Sequence, residues 1–347
     1  MLQETLSSYL ETAALAGEGL TGMDLALRAI AAAASELSSL ISLGRLYGQL
    51  GASRGSTNVD GDVQKELDVL ANELLVNAFK GAPIAAIVSE ELSEPLVLNP
   101  SAPFAVAMDP LDGSSNIDAN VSIGTIFSIL PTRQSADSPE AHFLQSGRHQ
   151  IAAGFIVYGP QTSLVFALHN GSTQVFILNR HDGEFHRATV PAIPREYPEY
   201  AVNASYYRHW DAPVRAFIDD CVQGAEGPLK RDYNMRWTGS LVADAYRILL
   251  RGGVFLYPGD QRPGYHAGRL RLLYEANPVA FVVEHAGGKA TDCIHPILDI
   301  APSAIHARTP LIFGSTAAVE LVARYHTDPQ YTAEHAPLFG KRGLIRP

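Results

Sequence analysis

Cysteine is nearly absent: Cys221 and Cys293 are the only two in 347 residues. Thiols so far apart build no disulfide framework and match neither CxxC redox nor zinc spacing, which points to a reducing compartment and to inert, buried side chains. Basic charge is also short, with 26 Lys and Arg against 36 Asp and Glu and a formal net charge of −10. An electrostatic footprint for nucleic acid or an anionic membrane is therefore not expected. No apolar run reaches the roughly 18 residues of a spanning helix. The opening MLQETLSSYLETAALAGEG lacks the basic region and unbroken apolar core of a signal peptide. The expectation is a cytoplasmic chain, in which the sequons at Asn120, Asn170 and Asn203 are chance matches. Charged residues make up 18% against 46% hydrophobic ones, a balance that buries a large core rather than leaving the chain disordered.

What is present falls into three textures. Residues 22–43 and 62–79 place Leu and Ile at helical periods. From 104 to 190 come short β-rich runs (FAVAM, TIFSIL, GFIVY, LVFAL, TQVFIL) separated by turn signals such as Asn170-Gly171 and Asp182-Gly183, which predict an antiparallel meander. PAIPREYPEY (191–200) carries three prolines and predicts a boundary between domains 1–195 and 196–347. Beyond it, helical patterns at 211–222, 240–250, 278–286 and 316–325 alternate with VFLY, GKATD and LIFG, as in a layered α/β architecture.

Two short patterns match well-known signatures and fail on context. Gly17-Glu18-Gly19-Leu20-Thr21-Gly22 satisfies GxGxxG but follows a helical rather than a strand pattern, so a dinucleotide site lacks its first strand. Gly51-Ala52-Ser53-Arg54-Gly55 satisfies GxSxG, yet the polar STNVDGD follows where a nucleophile elbow needs a helix.

The informative feature is a set of carboxylates ending hydrophobic runs: Glu90 and Glu91 after IAAIVS, Asp109 and Asp112 in FAVAMDPLDGSSN, and Glu275 in LRLLYEAN. Such groups are expected at strand ends. Five like charges at the edges of apolar segments make physical sense when a hard dication draws them together, and magnesium also accepts phosphate oxygens, so phosphate-ester chemistry follows. In Asp109-Pro110-Leu111-Asp112-Gly113-Ser114-Ser115-Asn116 the Pro and Gly predict a turn that aims both Asp side chains and the Leu111 carbonyl at metal. The following Gly113, Ser114 and Ser115 offer N–H and hydroxyl donors to a phosphate.

These residues resemble class 1 fructose-1,6-bisphosphatase, within the lithium-sensitive, magnesium-dependent sugar and inositol phosphatases. The likeness runs through LYG (46–48), GSTNVDGD (55–62), KELDVLANELL, VSEE, MDPLDGSSNID, SIGTIFSI, AAGFIVYGPQTSLV, NMRWTGSLVADAYRILLRGGVFLYP, GRLRLLYEANP and AGGKATD. The resemblance implies a layered αβαβα fold and hydrolysis of the 1-phosphate of a sugar bisphosphate by direct in-line attack. It implies two or three magnesium ions, with manganese as the alternative, held by Glu90, Asp109, the Leu111 carbonyl, Asp112 and Glu275. Glu91 and Asp68 would polarise the attacking water. Asn203, Tyr206, Arg236, Tyr257 and Arg269 would bind the far phosphate, Arg236 reaching in from a neighbouring subunit of a homotetramer. The role implied is in carbohydrate metabolism, in gluconeogenesis or the Calvin cycle.

The chain departs from the best-known members with Arg269 in place of Lys and Trp237 in place of a phosphate-binding Tyr. An Arg fork replaces a point charge, and the Trp puts selectivity between fructose and sedoheptulose bisphosphates in play. The AMP-binding Lys-Tyr pair and Arg fall on Pro103, Phe104 and Pro131, which supply neither cation nor phenol, so AMP inhibition is expected to be weak or absent. Two other classes stay open: a sugar-phosphate sensor, disfavoured by the retained Glu91 and Asp68, and an aspartyl-phosphate phosphatase, disfavoured because Asp109 and Asp112 lack DxD spacing.

Overall fold

The computed structural model describes residues 4–15, 22–46, 53–57, 63–134, 136–328 and 330–331. Residues 17–21 of the GxGxxG segment, Gly51 and Ala52 of GxSxG, Tyr47 and Gly48 of LYG and residues 58–62 of GSTNVDGD lie outside them, as do Gly19, Leu20 and Thr21, which the same resemblance implies would meet an AMP phosphate.

The strands, in chain order, are β1 (Ser53–Thr57), β2 (Val63–Lys65), β3 (Ile84–Ser89), β4 (Leu96–Val97), β5 (Phe104–Asp112), β6 (Ile123–Pro131), β7 (Ala152–Tyr158), β8 (Thr162–Leu168), β9 (Gln174–Leu178), β10 (Phe185–Ala188), β11 (Glu199–Val202), β12 (Asn234–Met235), β13 (Val254–Tyr257), β14 (Leu270–Arg271), β15 (Lys289–Thr291), β16 (Arg308–Thr309) and β17 (Leu311–Gly314). The helices are α1 (Leu6–Leu15), α2 (Met23–Leu43), α3 (Glu66–Phe79), α4 (Ala212–Gln223), α5 (Leu241–Arg251), α6 (Asn277–His285) and α7 (Thr316–Thr327).

An eight-stranded sheet runs β10-β9-β8-β7-β6-β5-β3-β4, and a five-stranded sheet runs β12-β11-β13-β17-β15. From β5 to β10 every neighbour pairs antiparallel, the meander its turn signals predict. Strand β3 joins β5 in parallel, which brings the chain after Ser89 alongside Asp109.

Both faces of the large sheet are dry along its inner strands, which read as continuous apolar runs whose alternate residues enter different cores. In β8, Leu164, Phe166 and Leu168 pack with α1, α2 and α3, while Val165 and Ala167 face α5 and α6. The small sheet repeats the division: Phe255 and Phe313 join that middle core, and Leu256 and Ile312 pack with α4 and α7. The layers are therefore helices, sheet, helices, sheet, helices, the expected αβαβα order. Helix α2 is long and apolar enough to cross a bilayer by length and composition, and its Met23, Leu27, Ile30, Ala34 and Leu37 are spent on the outer core. Phe104 is also core and pairs with Pro131 across β5 and β6.

Candidate active site

Strand β5 reaches the site through a bulge. Asp109 pairs with Ile126 and Asp112 with Gly124, so Pro110 and Leu111 stand against Thr125 alone. Proline has no N–H for the ladder, and one extra residue on the strand absorbs the loss. The Thr125 hydroxyl donates to the Pro110 carbonyl at 2.9 Å, and because that hydroxyl has one hydrogen, the buried Tyr158 phenol 3.0 Å away must donate to it. The turn expected across Asp109–Gly113 is thus a strand bulge through Pro110 and Leu111, and the chain turns only at Gly113, whose φ of 77° suits glycine.

The bulge sends both aspartates to one place. One carboxylate oxygen each of Asp109, Asp112 and Glu275 lies within 4.8 Å of the others, and all three residues are buried. Backbone donors hold the set: Leu111 N–H to Asp109 (3.0 Å), Val242 N–H to Asp112 (3.0 Å) and Arg271 N–H to Glu275 (2.7 Å). The Val242 contact is a helix N-terminus facing a carboxylate. It depends on Gly124, where an added Cβ would lie 2.5 Å from Val242 Cγ2 and 2.1 Å from the Ile156 carbonyl oxygen. Ser240 Oγ adds a longer bond to Asp112 at 3.3 Å.

Glu275 is not at a strand end. Strand β14 stops at Arg271, and Leu272–Ala276 form a π-helical turn that leads into α6. Pro278, in the first turn of α6, has no N–H to give back to that turn, which favours the wider winding. Glu90 follows β3 and meets the Arg271 guanidinium at 2.8 Å. Glu91 comes next, its N–H on Ser89 Oγ. Asp68 sits in the first turn of α3, where one oxygen accepts the Lys65 N–H at 2.7 Å while Oδ1, buried, has no hydrogen-bond partner. Leu111 occupies the bulge between the two aspartates, buried with them.

The electrostatics suit a cation. Burial raises Asp68 to about 6, with Glu91 adding to the rise. Glu90 is pushed up to about 7 by burial against the pull of Arg271. Glu275 is pushed up to about 8 by burial and by Glu90. Asp109 lies well above the usual carboxylate range through burial and then Glu90, Asp112 and Glu275. Oxygen-only donors, mutual repulsion and an orphaned buried oxygen together match a hard dication.

Beside the cluster, Gly113–Asn116 makes a single tight turn carrying Ser114 and Ser115. Lys65 Nζ reaches the Ser114 carbonyl at 2.8 Å, and Asn116 Nδ2 ties the loop to the Gly239 carbonyl at 3.0 Å. Apart from the cluster, a narrow cleft is lined by Asn203, Tyr206, Tyr257 and Arg269, along with Trp210 and Asp260. Arg269 Nη1 donates to the Tyr206 hydroxyl at 2.9 Å. Arg236 does not join this cleft within the chain. It follows the edge strand β12, half-exposed, 3.9 Å from Glu199. Trp237 also stays out of the lining, stacked on Phe255 and Tyr257.

Residues 269–275 connect the two places: Arg269 at the cleft, Arg271 on Glu90, Glu275 in the cluster. Sequence reasoning missed Arg271, Lys65, Ser240 and the Thr125–Tyr158 pair. Only Arg271 left a signal, as the alternate cation of Arg269-Leu270-Arg271 four residues before Glu275.

Profiles described as "Fructose-1-6-bisphosphatase, N-terminal domain" and "Fructose-1-6-bisphosphatase, C-terminal domain" match residues 5–189 and 193–327. The chain belongs to the class 1 fructose-1,6-bisphosphatase family. A relative of that name from Rhizobium meliloti (strain 1021) is 51% identical over 346 residues, covering 99% of each chain. Another from Rhodopseudomonas palustris (strain BisB18) is 54% identical over 324 residues, covering 92% of each. The holo crystal structure of Leishmania major fructose-1,6-bisphosphatase superposes with a TM-score of 0.86 at 32% identity, over 94% of this chain and all of that one. Family membership makes the chain a metal-dependent phosphatase, and Asp109, Asp112 and Glu275 form a buried acidic cluster able to hold a metal ion.

Proposed function

We propose that the chain hydrolyses the 1-phosphate of D-fructose 1,6-bisphosphate to fructose 6-phosphate and phosphate. The observation that carries this is the pairing of the Asp109, Asp112 and Glu275 cluster with a cleft holding Arg269, Tyr206, Tyr257 and Asn203, bridged by seven residues, 269–275. One end suits a phosphate under attack, the other a phosphate that is only held.

Magnesium, two or three ions with manganese as the substitute, would be held by Glu90, Asp109, the Leu111 carbonyl, Asp112 and Glu275. When bound it supplies Lewis acidity to the phosphoryl oxygens. Gly113, Ser114 and Ser115 then cradle the 1-phosphate. Asp68, raised to about 6, and Glu91 polarise the attacking water in a direct in-line displacement, Glu91 accepting its proton. Arg269 and the phenols of Tyr206 and Tyr257 fix the 6-phosphate, with Asn203 beside them. Arg236, half-exposed at the sheet edge, completes the neighbouring subunit's cleft in a homotetramer. The division into domains 1–195 and 196–347 places most metal ligands in the first and the sugar end in the second, in a cytoplasmic enzyme of carbohydrate metabolism.

Activity on sedoheptulose 1,7-bisphosphate is a second reading, favoured by Trp237 leaving the cleft wall. The test is phosphate release from each sugar with magnesium and with EDTA. Metal-dependent release from fructose 1,6-bisphosphate is expected, and the second sugar's rate ranks single against dual specificity. Failure on both sugars overturns the substrate assignment.

A further inference from the structure

The far-phosphate cleft contains an acid that ought not to be there. Asp260 lines it and is 5% exposed, and a buried carboxylate beside a phosphate is repulsive. Arg262 neutralises it. Its Nε lies 2.9 and 3.1 Å from the two carboxylate oxygens, its Nη2 bonds Oδ2, and its own N–H donates to Oδ1 at 2.9 Å. The same guanidinium lies 4.3 Å from the ring centre of Tyr206 and 4.7 Å from that of Tyr265. Arg269 stands 4.8 Å from the Tyr265 ring and holds the Tyr206 hydroxyl. Two cations and two phenol rings thus form one block, and Asp260 is the counter-charge that fixes Arg262 in it. The loop carrying them is anchored by Gln261 N–H on the His209 carbonyl and closed on itself by Gly268 N–H on the Tyr265 carbonyl, both at 3.0 Å.

We propose that Arg262 is a specificity-determining positioning residue: by closing the ion pair with Asp260 and bracing Tyr206, it sets the preference for a bisphosphate over a monophosphate. The inference rests on the fructose 1,6-bisphosphate reading above and names a residue that reading does not use. Without Arg262, the Asp260 carboxylate faces the incoming phosphate and Tyr206 loses its brace. The reacting end, held by Asp109, Asp112 and Glu275, is untouched.

The experiment compares kcat/KM for fructose 1,6-bisphosphate with that for fructose 1-phosphate, which lacks the far phosphate, in the full chain. Arg262→Ala is expected to lower the bisphosphate preference at least about tenfold, through KM, and to leave fructose 1-phosphate within about twofold of the parent. Arg262→Lys, which keeps the charge but not the fork, falls between. The double variant Asp260→Asn with Arg262→Ala removes the uncovered carboxylate and recovers most of the preference. An unchanged preference in Arg262→Ala overturns the proposal. So does an equal loss on both sugars, the mark of a purely structural role, or a double variant no better than Arg262→Ala. A parent enzyme that releases phosphate from neither sugar overturns the underlying reading, and this inference with it.

Discussion

The carboxylate cluster draws its acids from four separate stretches of chain, at 68, 90–91, 109–112 and 275, whereas the far-phosphate cleft is assembled almost entirely from 202–210 and 256–269. The cluster's oxygens are held by backbone N–H groups of Lys65, Leu111, Val242 and Arg271, and its only close guanidinium among the described residues is that of Arg271. The cleft's guanidiniums instead rest on aromatic faces and a counter-carboxylate. One end holds repulsion that a cation relieves. The other pairs one of its two guanidiniums with Asp260 and leaves one positive charge in excess. Disturbing the first end should alter metal response and turnover, and disturbing the second should alter affinity.

The largest effect is expected from Asp109→Asn, which removes a buried oxygen from the cluster while keeping the shape of the bulge. Phosphate release should fall at least about a thousandfold, since even supporting residues around such sites cost ten- to a hundredfold. Magnesium titration followed by calorimetry should show weakened binding in the same variant. An active Asp109→Asn with unchanged magnesium binding would remove the cluster from the chemistry.

The contrast sharpens in a pair. Glu91→Gln should lower kcat by about a hundredfold or more with KM close to that of the parent, as for loss of a proton acceptor. Arg269→Ala should raise KM about ten- to a hundredfold with kcat little changed, as for loss of a charge-assisted bond to a bound phosphate. Steady-state kinetics on both decide it, and equal losses in the two parameters for both variants would dissolve the division between reacting and holding ends.

A third effect belongs to the cluster alone. Asp68, Glu90 and Glu275 are raised by burial to about 6, 7 and 8, above their values in an unfolded chain. Between about pH 4.5 and 8 the folded, EDTA-treated protein therefore holds more protons than the unfolded one, and its stability must fall as pH rises. The contribution is fully present below about pH 4 and is lost progressively from there to about pH 8, as the last of the three folded groups ionises. Thermal unfolding should show Tm dropping across that window without metal and flattening with magnesium, whose binding should strengthen as the protons leave. A Tm that rises with pH in EDTA would contradict the buried-acid account.

How far these features were legible follows from their range along the chain. The layers were readable because periodicity is local: Leu164, Phe166 and Leu168 alternate with Val165 and Ala167 whatever they later face. Asp109, Asp112, Glu90 and Glu275 were readable as a set because each interrupts an apolar run, although Glu275 was assigned to a strand end and lies on a π-helical turn set by Pro278. The supports were not readable. Val242 reaches Asp112 across 130 residues, Thr125 meets Pro110 through a bulge, and Asp260 acquires its meaning only from the cleft it lines. Register and close approach create these contacts, and neither leaves a periodic mark.

The smallest effect tests whether the cleft's wall is braced from behind. Trp237 stacks on Phe255 at 5.5 Å and on Tyr257 at 5.9 Å, with interplanar angles of 18° and 22°. Such a pair contributes about 0.5–1.5 kcal/mol beyond burial. Trp237→Ala should therefore free the Tyr257 ring and raise KM for fructose 1,6-bisphosphate by about two- to tenfold, with kcat within about twofold. Trp237→Phe keeps a stacking face and should stay near the parent. If the Phe variant is instead as impaired as the Ala variant, the indole N–H rather than the ring face is what the far phosphate uses, and Trp237 moves from the wall's brace to its surface.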